Sequence, residues 1–195
     1  MFLLPTGKVL NNRESRYDDR CPACSGPHES NNHLIQCPSI SRQRWRAATT
    51  SSLRKRLLHN QTNPVLIDIM MAGLQSYFLD RPLDYSAFSD FNATYRPRRP
   101  YYTLLKHQES IGWDHFLRGK LSHHWTELQQ DFVWRTTPDT KFDSEAWLRL
   151  IIRPLFTDCL DLWTIRNNER HGTDDQAKNK SYEIFEHSIQ CNPTY

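Results

Sequence analysis

Glycine is scarce in this chain, six residues against eleven prolines in 195, and none falls in the Gly-rich strand-to-helix turn that cradles a nucleotide's phosphates. Nucleotide-binding folds of that type are therefore excluded. Long apolar runs are missing as well. The opening stretch MFLLPTGKVL lacks a basic leader and breaks at Pro5, so it does not read as a secretory signal, and no segment reaches the roughly 20 residues that span a bilayer. An intracellular setting, nuclear or cytoplasmic, is the expectation. Strand-like alternation of apolar and polar residues is weak throughout, and no repeat or sustained heptad occurs. Bulk hydrophobicity is modest, but six tryptophans supply large rings able to anchor a helical core.

What is present is concentrated near the start. Residues 21–38, CPACSGPHESNNHLIQCP, hold three of the five cysteines and two of the nine histidines. In a reducing compartment such clusters bind metal more often than they form disulfides. A two-residue gap lets one turn aim Cys21 and Cys24 at a single ion. His33 and Cys37 stand four apart, on one face of a helical turn. The predicted ligand set is Cys21, Cys24, His33 and Cys37, with the pattern C-x2-C-x8-H-x3-C; a variant set replaces His33 by His28, which follows Pro27 in a turn. Four protein ligands close a tetrahedral shell around Zn2+, so the ion is expected to be structural, and a zinc hydrolase, which needs an open position, is disfavoured.

The pattern CPxCxxxxExxxHLxxCP, carried by Cys21, Cys24, Glu29, His33, Leu34 and Cys37, resembles the zinc-binding region found C-terminal to the reverse transcriptase in non-LTR retroelement polyproteins. Upstream, LPTGKVLNNR is similar to the segment leading from the polymerase into that knuckle. Downstream, QESIGWDHFLRGKLSHHW and LWTIRNNERHG resemble the helical tail of such reading frames. The resemblance implies a detached C-terminal piece of a retroelement protein, associated with RNA or DNA and with an upstream polymerase domain of the same element. It also admits a non-functional remnant. RYDDR at 16–20 lacks the intervening residue and apolar flanks of the polymerase YxDD, so it reads as an acidic turn, and no catalytic residue is assigned.

Charge supports an anionic partner. Residues 1–60 carry ten Lys/Arg and four Asp/Glu, whereas the remainder is slightly acidic. Arg42, Arg44, Arg46, Arg54, Lys55 and Arg56 crowd a helix expected to begin near Ser39 or Ser41, with Ile40, Trp45, Leu53 and Leu57 as its apolar positions. These six basic residues are the candidate nucleic-acid contacts. The rival reading is a protein-interaction or scaffold module in which zinc only staples the fold.

The fold class expected is mostly α, a helical bundle with a small N-terminal zinc knuckle. The segmentation is a knuckle region at 1–40, a helical domain at 41–172 with a surface connection near 81–100, and a polar tail at 173–195. Leu66, Ile69, Met70, Gly73, Leu74, Tyr77 and Phe78 mark a core helix. Helical segments follow from about 101 to 134, interrupted near Gly112 or Gly119. The last long helix is expected to open at Asp143 or Ser144, kink at Pro154 and stop at Gly172. His123, His124 and Glu127 read as surface residues, because H-H-x-x-E lacks the order of the zinc proteases and two ligands do not make a site. Arg166, Arg170 and His171 are accounted for by the helix dipole.

Overall fold

A computed structural model describes residues 6–15, 18–85 and 98–172. Among these residues there are eight helices and no strand: α1 Gly7–Arg13, α2 Asn31–Gln36, α3 Ile40–His59, α4 Pro64–Phe78, α5 Arg98–Ile111, α6 Trp113–Leu117, α7 His124–Thr136 and α8 Ser144–His171. The chain is thus mostly α, as its periodicity predicts. Residues 86–97 and the predicted polar tail, with Cys191, lie outside the described residues.

The sequence punctuates these helices well. Asp143 caps α8 by accepting from the Ala146 N–H at 2.9 Å, and Gly172 closes it at φ 86°, in the left-handed region that favours glycine. The helix is continuous through Pro154. Gly112, at φ 101°, separates α5 from α6, a reversal that side-chain-bearing residues resist. Gly119, the other predicted break, follows α6. Asn63 caps α4 through the Val65 N–H, with Pro64 at the first helical position. The predicted connection near 81–100 is shorter at its far end, since α5 already begins at Arg98 and takes in Pro100.

Helix α3 packs on α8 and α4; α5 packs on α6 and α7; α4 and α8 each touch both groups. One apolar cluster runs through all of them, from Leu34 of α2 through Leu53, Leu57, Leu66, Met70 and Leu74 to Trp125, Trp147, Ile151 and Leu162. The knuckle therefore shares the core of the helical bundle. Three tryptophans that reach this interior satisfy their indole N–H groups there: Trp45 donates to the Asp158 carbonyl at 2.7 Å, Trp125 to Gln108 Oε1 at 3.0 Å and Trp147 to Thr62 Oγ1 at 3.0 Å. Ile40, read as apolar packing, is instead 67% exposed.

Gly73 lets α4 approach α6 closely. A Cβ built there would lie 2.0 Å from the Trp113 ring, itself wedged against Phe116 and Trp125. The Gly73→Ala variant should lose about 1–3 kcal/mol to overpacking, even though alanine favours a helix by about 1 kcal/mol. Urea titration should show a lower midpoint at unchanged slope. A raised midpoint would show that the ring does not sit against this helix.

Candidate metal centre

Two short pieces of backbone build the centre. The first is a turn: Cys21 accepts from the Ser25 N–H at 2.8 Å and donates its own N–H to Gly26 O at 2.8 Å, while the Gly26 N–H points at Cys24 Sγ, 3.4 Å away. Both sulfurs thereby face the same side. The second is α2. Ser30 caps it by accepting from the His33 N–H at 3.0 Å, and the Cys37 N–H closes it on His33 O at 2.7 Å. His33 and Cys37 thus flank one helical turn, as their spacing predicts.

Together the two pieces bring the four side chains to a common centre, with one ligand atom of each lying within 4.8 Å of all the others. Cys21 Sγ and Cys37 Sγ are 3.8 Å apart, and Cys24 Sγ and His33 Nε2 are 3.3 Å apart. Two thiolates bound tetrahedrally at about 2.3 Å stand roughly 3.8 Å apart, and a thiolate and an imidazole roughly 3.6 Å. The spacing fits one ion and is far too wide for a disulfide, whose sulfurs sit near 2.0 Å. Cys21 and Cys37 are buried and the other two partly so. Burial pushes the Cys21 thiol up to about 12. Cys37 is desolvated as well, but hydrogen bonds, those with Ser39 foremost, bring it below the usual thiol value. A cation entering here must displace protons, so its affinity falls with acidity. His28 stays out: its side chain is 71% exposed and pairs with Asp19.

The centre is locked to the helical bundle by buried charge. Glu29 is fully buried in the middle of the knuckle. It receives Arg166 of α8, with Nη2–Oε2 at 2.7 Å and Nε at 3.0 and 3.2 Å from its two oxygens, and also accepts the Gly7 N–H at 2.7 Å. The Arg166 guanidinium also lies 4.9 Å from the Trp163 ring. Arg170 adds a hydrogen bond to the Asp18 carbonyl. The expectation that the dipole suffices for Arg166 and Arg170 is thus replaced by specific partners in the knuckle.

The basic segment divides in two. Arg42 is fully buried, its guanidinium paired with Glu169 at 2.6 and 3.2 Å. Arg46, 8% exposed, donates to the carbonyls of Ile35 at 2.7 Å and Cys37 at 2.9 Å, capping the end of α2. These two predicted nucleic-acid contacts are corrected: they stand on the inward stripe of α3 with Trp45, Thr49, Leu53 and Leu57, where no phosphate reaches. Arg44, Arg54, Lys55 and Arg56 are exposed, and Arg54 pairs with Asp68 of α4 at 3.0 Å. Trp45, being buried, is no platform for stacked bases.

The sequence names Glu29 only as part of the resembling pattern and Arg166 only as a charge at a helix end, and neither reading gives the pair. One signal was available for Arg166. It continues the i, i+4 series Trp147, Ile151, Leu155, and then Leu162, into the helix end, and a charge on a buried stripe requires a partner.

No family model, curated protein or solved structure was found to match the chain, so the metal centre and its surroundings carry the functional reading by themselves.

Proposed function

We propose that this chain is a non-catalytic module, stapled by one Zn2+, that binds nucleic acid through the outward face of α3. The carrying observation is the Cys21–Cys24–His33–Cys37 set, whose four ligands suffice to close a tetrahedral shell. Three thiolates and an imidazole suit zinc, and a closed shell offers no position for water or substrate. Arg44 and Lys55 lie on one outward stripe of α3 at about 100° per residue, with Arg54 and Arg56 to either side. The likeness of the knuckle to the retroelement region adds to the nucleic-acid reading, because that region adjoins a polymerase working on RNA and DNA.

With three or four phosphates neutralised, affinity for a single-stranded oligonucleotide should fall with salt at a log–log slope of about −2 to −3. Fluorescence anisotropy on the zinc-loaded chain measures this. The triple variant Arg44→Gln, Lys55→Gln, Arg56→Gln should flatten the slope. A salt-independent wild-type response would favour the second reading, a protein-interaction module, which Trp134 supports by being 70% exposed on α7.

A further inference from the structure

A second cluster of metal-ligating side chains stands apart from the sulfur centre. His107 on α5 faces His124, which begins α7, and His123 just before it, and one ring nitrogen of each lies within 4.8 Å of the others. The ring centroids are 5.2 Å apart for His107–His123, 5.4 Å for His107–His124 and 4.0 Å for His123–His124. They line an open cavity of about 510 Å³ together with Tyr102, Thr103 and Lys106.

Two of the three rings are hydrogen-bonded to an oxygen through one nitrogen, an arrangement that metal-ligating histidines share. His107 Nδ1 is 2.9 Å from Ser122 Oγ, and His124 Nδ1 is 2.8 Å from Glu127 Oε2. A ligating histidine characteristically gives its second ring N–H to an oxygen, which fixes the tautomer and turns the other nitrogen toward the ion. Here the bonded Nδ1 atoms leave Nε2 of both rings for coordination. The placement is also braced from beneath. The buried Gln108 side chain accepts from the Ser122 N–H at 3.0 Å and donates to the carbonyls of Gly112 and Lys120 at 3.3 and 3.4 Å, so the loop delivering His123 and His124 is tied to the turn of α5 that carries His107.

We propose that His107, His123 and His124 form a second metal site, taking a divalent transition ion such as Zn2+, Co2+, Ni2+ or Cu2+ and leaving a coordination position for water or an exogenous anion. Nitrogens bound tetrahedrally at about 2.05 Å stand roughly 3.4 Å apart, inside the 4.8 Å within which the three already lie. Two positive influences oppose the ion, the start of α7 and Lys106. Glu127 offsets the first from within the opening turn, with its Oε1 3.8 Å from His123 Nε2. Lys106 is drawn toward Glu109, 3.2 Å away, and over the Tyr85 ring. This site is accordingly weaker than the sulfur centre, and it does not depend on the nucleic-acid reading.

Titrating the metal-free full chain with Co2+ separates the two centres, because thiolate ligands give intense sulfur-to-metal charge-transfer bands and imidazoles do not. Two equivalents are expected to bind, the first with charge transfer and the second with weak visible bands alone. The variants His107→Asn and His124→Asn should each remove the second equivalent and keep the first, whereas His28→Asn should leave both. A stoichiometry of one, or a second equivalent indifferent to His107→Asn and His124→Asn, would overturn the site. Since these histidines are partly exposed, circular dichroism of the variants should match the wild type, so that loss of metal is not loss of fold.

Discussion

Cys21→Ser is expected to abolish the tightly held zinc equivalent and to unravel residues 18–37 while α5, α6 and α7 keep their helical signal. A structural zinc in a small knuckle contributes about 10–16 kcal/mol of apparent binding energy, comparable with the whole stability of an ordinary domain. Besides the buried Glu29–Arg166 pair and the Arg46 contacts, the knuckle has little to hold it. Its contribution to the apolar core is chiefly Leu34, and its helix is six residues long, too short to persist alone. The damage should spread along defined contacts. Once the turn opens, Arg46 loses its two carbonyl acceptors and Arg166 its buried carboxylate, so the first half of α3 and the last turns of α8 should lose amide protection next. Helices α5–α7 pack on one another and on α4, and stay folded. Hydrogen exchange with and without a chelator reads this gradient residue by residue. Uniform loss of protection would contradict the hierarchy, and unchanged metal content in Cys21→Ser would remove that cysteine from the ligand set. Acid should mimic the variant, because protons compete for the three sulfurs as pH falls.

Breaking the Glu29–Arg166 pair should produce the second large effect. Both side chains are essentially inaccessible, at 0% and 2%, so their charges are exchanged with each other and not with water. Removing one partner strands the other, which typically costs about 3–5 kcal/mol, whereas replacing both by apolar groups of like size is often neutral. Glu29→Leu alone should therefore destabilise the zinc-loaded chain by about that amount in urea. Adding Arg166→Met should restore most of it, leaving a deficit of about 1–3 kcal/mol for the Gly7 N–H, which loses its acceptor. If the single variant cost under 1 kcal/mol, or the pair were additive, the buried ion pair would not be the link between the metal region and α8.

The features that could be read from the sequence are those fixed by local chemistry. Ligand spacing points to the cluster of Cys21, Cys24, His33 and Cys37 because turn and helix geometry act over a few residues. The ends of α8 were announced by Asp143 and Gly172, and the breaks by Gly112 and Gly119, since caps and positive φ are properties of single positions. Long-range pairing was not legible. Arg42 and Arg46 look like members of a solvent-facing basic run, and only the arrival of Glu169 and of the α2 carbonyls shows why they face inward. That inversion also blurs the apolar stripe of α3, since two of its buried positions are arginines. His107 is not legible for the same reason. Its partners lie 16 and 17 residues away, and nothing in H-H-x-x-E points back across the α6 segment to a third imidazole.

The span of the Glu29–Arg166 contact has a consequence for biosynthesis. The two residues are separated by 137 positions, and at about 5–20 residues per second a ribosome needs about 7–27 s to travel between them. During that interval the knuckle's four candidate ligands are all available, yet its central carboxylate has no counter-charge and must remain hydrated. Burial of that carboxylate is therefore separable in time from any capture of an ion by the knuckle, because it waits for the final helix to leave the exit tunnel.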